Sequence, residues 1–337
     1  MASYKQIAER TGLSFGTISN VLNGKGSVKE ENVKKVYEAI EELDYRPNYQ
    51  AKALASDSAK LLGVIVPSIN DVRETEVFSY MEEFARSKGY RIMLSTSHNS
   101  AKEEKNQCEI MLSSQVDCLF IMPYSSENKE YFRRLSEQMR DRIIFINRYL
   151  EDVDIPFTVV DNDYAAMEMI QYIYKMGHRK VTFLDLKDRG ISSVRDRRKG
   201  IIRWSAEMNM ECEIKEIEST LEDEVMIGYQ YAEQAIRNQE LPKVILARDD
   251  AMAIGIYSAC MQYQVSVPET VSIVGFGKYY SDYMTPKKLT TFNRDFKSLL
   301  KQATDMFLAI TNGETEHIQR KIFIKGYMEN GATVQKV

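Results

Sequence analysis

From Leu61 onward, apolar runs rich in β-branched residues alternate with longer amphipathic stretches, and this alternation narrows the possible folds more than any other feature. "LLGVIVPS" is apolar along its whole length, as a strand buried on both faces of a parallel sheet must be. "EVFSYMEEFARSKGY" then reads as a helix with Gly89 at its stop. "RIMLSTS" is a strand, "AKEEKNQCEIMLSS" a helix, and "CLFIMPY" and "RIIFINR" are strands. The rhythm then repeats. "FTVVDN", "KVTFLDL", "KVILARD" and "SIVGFG" read as strands, separated by helices such as "AAMEMIQYIYKMG" and "AMAIGIYSACMQY". Parallel neighbours need long crossovers, so the expected fold class is α/β, with two lobes of doubly wound parallel sheet. Ligands of such a frame sit at the carboxyl ends of strands or between the lobes.

The first 60 residues have a different texture. Three short helices fit them. Ser3 with Gln6 forms a capping box ahead of "YKQIAERT", and Gly12 ends that helix. Ser14 is an N-cap for "FGTISNVLN", and Gly24 is its stop. Ser27 with Glu30 caps "VKEENVKKVYEAIEEL", whose Val33, Val36, Tyr37, Ile40 and Leu43 recur at helical spacing. Ile7, Ala8, Leu13, Ile18, Val21 and Leu22 can pack on that stripe. A core this small is expected to be only marginally stable alone. The second helix carries Ser14, Thr17, Ser19, Asn20 and Asn23, where a solvated face would carry Lys and Glu. Small uncharged hydrogen-bonding groups suit base edges and phosphates. The tight "TGLS" turn between the first two helices fits a helix-turn-helix. Pro47 then breaks the chain before "YRPNYQAKALAS", a linker too short to be a stable helix in isolation.

Composition excludes several classes. A 337-residue chain suits two or three packed units. Its net charge is −4, but residues 1–60 hold nine Lys and Arg against eight Asp and Glu, and Lys25, Lys29, Lys34 and Lys35 bunch together. That asymmetry has the sign DNA requires. Four scattered cysteines without a CxxC pair argue against disulfides and structural zinc and suit a reducing cytosol. With no apolar run long enough to span a bilayer and no apolar signal core at the start, the expected location is the cytoplasm. There is no P-loop, nucleophile elbow or dinucleotide-binding glycine fingerprint. His98 and His317 have no partners at metal spacing. No cofactor and no catalytic residue is expected.

"YKQIAERTGLSFGTISNVLNGKGSVKEENVKKVYEAIEELDYRPNYQAKALAS" closely resembles the headpiece of the lac repressor (LacI/GalR) family of bacterial transcription regulators, almost without gaps. The resemblance continues more weakly through "GVIVPSIN", "VVDNDYAA", "MGHRKVTFLD", "RDRRKG", "ARDDAMAIG", "VSIVGF" and "PKKLTTF". It implies a DNA-binding headpiece over residues 1–46, a hinge helix and linker over 47–60, and an effector-binding body over 61–337 shaped like a periplasmic sugar-binding protein. The N-lobe would run over about 61–159 plus 289–320, and the C-lobe over about 160–288 plus 321–331.

The resemblance also implies roles. Tyr4, Ser14, Phe15, Gly16, Thr17, Ser19, Asn20, Asn23 and Lys25 fall where the family touches bases and phosphates. Asn20 replaces the usual Arg, and Asn pairs with adenine where Arg prefers guanine. Gly16 has no side chain to read with, so the operator is expected to differ from the family's commonest palindrome. Asn48, Ala51, Lys52, Leu54 and Ala55 match the hinge helix, whose leucine wedges into a minor-groove base step. In the body, Arg197 and Asp249 match effector-site positions, Asn147 and Asp161 sit at strand ends facing the expected cleft, Ser68 is a further effector-site candidate, Gly277 stands where the family usually has an Asp that holds the ligand, and Asp250 is expected to cap the helix that follows. Arg73 and Arg294 depart from the pattern, Arg294 standing where sugar-binding members often carry Gln or His, with Phe296 stacking on the ligand. Arg73, Arg197 and Arg294 together would favour an anionic ligand such as a sugar phosphate or sugar acid.

The leading expectation is a ligand-controlled repressor that binds a near-palindromic operator as a homodimer, since one headpiece reads only a half-site. A ligand-binding receptor, an activator without repressor activity and an enzyme on the same frame are the alternatives. The headpiece argues against the receptor, and the missing nucleophile–base pair argues against the enzyme. "ENGATVQKV" carries no leucine heptad, so no tetramerisation helix is expected. Leu54→Ala should leave the fold intact and weaken binding to a mapped operator; unchanged binding would remove the wedge from the mechanism.

Overall fold

A computed structural model of the chain describes residues 4–23, 28–45, 58–70, 72–139, 141–187, 190–217, 223–278, 284–314 and 318–337. It divides into two compact units, Met1–Ala59 and Lys60–Val337.

The first unit holds α1 (Tyr4–Thr11), α2 (Phe15–Asn23) and α3 (Glu30–Glu42). Ile7, Ile18, Val21, Val36, Ala39 and Tyr45 form its buried centre, with Leu13, Val33, Ile40 and Leu43 packed around them. Tyr37 was expected in this core and is instead 53% exposed. Three short helices cover only the 36–39–40–43 stripe of α3, and Tyr37 lies beside that stripe. The Ser14 hydroxyl accepts the Thr17 N–H at 3.2 Å, which is the expected cap of α2. The expected cap of α3 differs. That helix starts at Glu30 behind Lys29, with no side-chain cap bond, and both Ser3 and Ser27 lie outside the described residues. Arg10 reaches from the end of α1 to Glu42 with two hydrogen bonds, at 2.8 and 3.1 Å. Both side chains are exposed, so the pair adds little stability.

The second unit is built on two six-stranded sheets. The first contains β1 (Leu61–Val66), β2 (Arg91–Thr96), β3 (Cys118–Ile121), β4 (Ile143–Ile146), β5 (Phe157–Val160) and β11 (Lys321–Ile324). Their order is β11-β5-β4-β3-β1-β2, parallel throughout. Helices α4 (Val72–Ser87), α5 (Ala101–Ser113), α6 (Lys129–Met139) and α11 (Phe296–Thr311) belong to this lobe. The second sheet contains β6 (Lys180–Leu186), β7 (Glu211–Ile217), β8 (Val244–Ala247), β9 (Ser272–Gly277), β10 (Thr290–Asn293) and β12 (Tyr327–Glu329). Its order is β12-β10-β9-β8-β6-β7, with β12 alone antiparallel to its neighbour. Helices α7 (Asn162–Lys175), α8 (Ser192–Glu207), α9 (Glu224–Arg237) and α10 (Asp250–Gln262) complete that lobe. One apolar cluster runs through both lobes by way of Val160, Phe276, Phe292 and Phe296.

The lobe limits differ from those expected near the end of the chain. Residues 290–293 form β10 in the second sheet, not the first, and residues 321–324 form β11 in the first sheet, not the second. The chain therefore changes lobes after β5, after β10 and after β11. These passages touch. The Asp161 N–H donates to the Ile324 carbonyl at 2.9 Å, and Gly326 lies so close to Asn293 that a Cβ would overlap its carbonyl oxygen and the Phe292 ring. Gly326→Ala must push the passages apart. We expect a loss of about 2 kcal/mol, read as a lower melting temperature of the second unit.

Candidate functional site

Two surfaces carry candidate chemistry, one in each unit. On α2, Ile18 and Val21 point inward and are buried. Ser14, Phe15, Gly16 and Asn20 are exposed, while Thr17 and Ser19 are half-buried. Phe15 is 56% exposed, which is unusual for so large an apolar ring. The Ser14 and Thr17 hydroxyls lie 3.0 Å apart, so the cap also holds Thr17 in place. Gly16 has open space around it, with only the Ser14 hydroxyl within 4 Å of a built Cβ. Tyr4 is half-buried and meets Tyr45 edge-on at 5.9 Å, so its ring braces the bundle. On α3, Lys35 pairs with Glu31 at 2.6 Å and Lys34 with Glu38 at 3.9 Å, which offsets part of the basic cluster. The side chain of Asn23, and Lys25, Asn48, Ala51, Lys52, Leu54 and Ala55, lie outside the described residues.

The second surface is a cleft, open to solvent, between the carboxyl ends of the two sheets. Of the expected effector residues, Asn147, Arg197, Asp249 and Arg294 line it. Arg148, Asn162, Ser193, Arg248 and Phe276 line it as well and were not expected. Among the described residues, four arginines therefore line one cleft.

Each is held differently. Arg294 follows β10 at the second passage between lobes and is only 3% exposed. It donates to Asn147 Oδ1 across the lobes at 3.3 Å, and its guanidinium lies 4.7 Å from the Phe296 ring centroid. Arg197 on α8 is 6% exposed and sits 3.9 Å over the Phe276 ring, which Arg294 also approaches at 5.9 Å. Arg148 donates to the Pro123 carbonyl at 3.0 Å. Arg248 is held by two carboxylates, Asp185 at 3.8 Å and Glu224 at 3.7 Å.

Several expected roles change. Asp249, not Asp250, caps α10: its carboxylate accepts the Met252 N–H at 3.0 Å and also faces the cleft. Asp250 lies inside the helix and ties it to the sheet, accepting from the Thr291 hydroxyl and the Lys278 N–H, each at 2.6 Å. Asp161 caps α7 through the Tyr164 N–H at 3.0 Å, and its neighbour Asn162 enters the cleft instead. Phe296 stacks on Arg294 rather than on the lining, Gly277 ends β9 behind it, and the Ser68 hydroxyl accepts the Asn70 N–H. The Arg73 side chain lies outside the described residues. His178 Nε2 lies 2.9 Å from the Gln335 carbonyl, so it anchors the end of the chain.

The unexpected residue with the strongest consequence is Asp185, at the carboxyl end of β6 and fully buried. One oxygen accepts the Leu186 N–H at 2.9 Å. Burial pushes its carboxyl above the ordinary aspartate value, and the nearby Arg248, Arg197 and Arg198 only partly oppose that. Glu104 in the first lobe is also buried and raised, against the opposing pull of Asn128, the Tyr124 N–H and Arg148. Only local signals were available for these positions. Arg148 and Arg248 stand beside residues already singled out, and Asp185 interrupts an apolar strand.

A carboxyl with a raised folded pKa binds its proton more tightly when folded. Its ionisation therefore lowers stability as pH rises from the ordinary value near 3.8 through the raised one. Asp185→Asn should lack that loss, so the melting-temperature difference between variant and parent should shift in the variant's favour across this window and then level off. A difference independent of pH would show that Asp185 does not titrate there.

Known proteins resemble the chain in both units. The family model described as "Bacterial regulatory proteins, lacI family" matches residues 3–48. A second, "Periplasmic binding protein-like domain", matches residues 170–333. Catabolite control protein A of Priestia megaterium is 27% identical over 313 residues, 92% of each chain. The HTH-type transcriptional regulator RegA of Clostridium saccharobutylicum is 26% identical over the same share of each chain. Among solved structures, the lac repressor dimer bound to operator and the anti-inducer ONPF aligns with a TM-score of 0.85 at 20% identity, covering 99% of each chain.

Proposed function

Because the chain belongs to the lacI family of bacterial regulatory proteins, we propose that it is a transcriptional repressor whose DNA affinity is set by a small molecule in the cleft. The observation that carries this reading is one chain joining two parts. The matched headpiece presents an uncharged polar face on α2, and the body presents a cleft lined from both lobes.

In this reading α2 enters the major groove of a near-palindromic operator, one headpiece of a homodimer to each half-site. Phe15, Thr17, Ser19, Asn20 and Asn23 face the bases and phosphates, with Ser14 and Lys25 on the backbone. Asn20 offers adenine a bidentate pair. Asn48, Ala51, Lys52, Leu54 and Ala55 form the hinge element in the minor groove. Arg197, Asp249, Asn147 and Arg294 hold the effector, a carbohydrate or related metabolite. Effector and operator are coupled through the relative position of the lobes, and the coupling is reciprocal. The protein works in the cytoplasm, at the nucleoid.

Gel retardation of DNA from upstream of the protein's own gene tests this. Specific retardation is expected, and it should weaken steeply as salt rises, because phosphate contacts release counterions. Asn20→Ala should lower affinity for the specific site by about 1–3 kcal/mol and leave non-specific binding nearly unchanged. Retardation without sequence preference would overturn the assignment of α2.

A further inference from the structure

We propose that Tyr149 and Glu151 of the first lobe form a clasp with Ser192, Arg195 and Asp196 of the second, and that this clasp sets how readily the lobes separate beside the cleft. Its effect on DNA rests on the repressor reading; its effect on the lobes does not.

Tyr149 and Glu151 lie between β4 and β5, just after the cleft residues Asn147 and Arg148. Ser192, Arg195 and Asp196 begin α8, three and four positions apart, and so share one face of it. The cleft residues Ser193, Val194 and Arg197 lie on the neighbouring face. The Tyr149 hydroxyl donates to Asp196 Oδ2 at 2.7 Å, and the Tyr149 N–H donates to the Ser192 hydroxyl at 2.9 Å. Arg195 donates to Glu151 at 3.0 Å and to the Tyr149 hydroxyl at 3.2 Å. It also donates to Asp196 Oδ1 at 3.0 Å, so one oxygen of that carboxylate is held within its lobe while the other reaches across. The Tyr149 ring is stacked on Phe157 of β5, with centroids 4.8 Å apart and planes at 16°, so the hydroxyl is aimed from a fixed base. Burial, helped by the bond to Asp196, pushes that hydroxyl up to about 12, so it keeps the proton it donates.

The lobes are thus joined in two unlike ways. At the passages the joint is apolar and runs through Val160, Phe276, Phe292 and Phe296, so parting it would expose buried rings to water. At the clasp the joint is polar and half-buried, and its hydrogen bonds exchange for bonds to water at small net cost. The first is a hinge and the second a fastening that can open. Within the clasp the bond from Tyr149 to Asp196 counts most, because its acceptor is charged and both groups are partly buried. The Glu151 side chain is 65% exposed, so its pair with Arg195 adds less. None of the five residues lines the cleft, yet each half of the clasp is one or two positions from a residue that does. A molecule that moves Asn147 or Arg197 moves the segment and the helix that carry the two halves.

The test is energy transfer in the full chain from Trp204, its one tryptophan, which lies on α8 in the second lobe. The acceptor is a fluorophore on Glu130→Cys, at an exposed position of α6 in the first lobe, with the half-buried Cys212 changed to Ser. Excess chain carrying Trp204→Phe keeps the transfer within one subunit. Tyr149→Phe should shift the ratio of joined to separated lobes about tenfold toward separation, the factor carried by one hydrogen bond to a charged group. Asp196→Asn should act through the same bond, so the two together should do little more than the stronger alone. The triple variant Tyr149→Phe, Arg195→Gln, Asp196→Asn opens the whole clasp with side chains of similar size, and its transfer should fall furthest. Melting curves and circular dichroism identify any variant that fails to fold; Tyr149→Phe, which removes one oxygen, keeps the test open if the triple does so. Unchanged transfer in folded variants overturns the clasp, even where the melting temperature drops, because a local brace would give that drop alone. Operator retardation of the triple without added ligand should differ from the parent by at least about threefold, since clasp and DNA affinity are linked through the lobes. Altered transfer with unchanged retardation supports the clasp and overturns the coupling of lobes to DNA, so the two readings fail separately.

Discussion

Arg294 is a guanidinium taken out of water at the point where the chain leaves one lobe for the other, and the architecture of the cleft follows from holding it there. Burying such a charge costs several kcal/mol unless neighbouring groups offset it. Asn147 contributes an oxygen from the opposite lobe, and Phe276 and Phe296 contribute ring faces from either side of the passage. Asp295, the next residue, adopts the left-handed conformation and caps α11, so the turn that carries Arg294 is fixed on both sides. The first and third passages lie beside related groups, through the Asp161 bond to Ile324 and the close approach of Gly326 to Asn293. A relative shift of the lobes must act on these same few residues.

Around this point the cleft separates charge by depth. Arginines form the wall, and acids stand behind them, with Asp249 the exception among the described residues. The arrangement keeps the guanidiniums oriented before any ligand arrives, which lowers the ordering cost of binding. Asp249 shows how one residue serves two purposes, since one carboxylate oxygen caps α10 while the residue faces the cleft. Its neighbour Asp250 points the other way and ties the helix to β9 and β10. Consecutive helix positions diverge by about 100°, so only one of the two can face a ligand.

The buried strands were legible because β1, β3, β4, β5, β8 and β9 are almost wholly apolar and each is a local run. The strands that escaped reading are β7, β10, β11 and β12: β7 and β11 are half-exposed and carry charges, β12 is very short, and β10 is a short buried stretch, "TTFN", with only one large apolar residue. Their pairing is decided by the sheet edge they meet, not by their own pattern. The same limit explains the exchanged lobe limits at the end of the chain: a four-residue segment such as "KIFI" does not say which of two edges it will join. In the headpiece, Val36 and Tyr37 are both apolar by composition, and only the width of the helix-helix contact buries one and exposes the other.

By itself the sequence determined the two-lobed α/β body, the three-helix headpiece and the polar face of α2, because each is written in residues a few positions apart and rests on local periodicity and capping. The tertiary structure alone decided which side chains meet in the cleft. Residues 147, 185, 248 and 294 belong to different elements and are brought together only when two sheets form and the chain passes between them. Proximity of that kind has no local signature, and so the arginine wall, the buried Asp185 behind it and the divided roles of Asp249 and Asp250 became visible only in the fold.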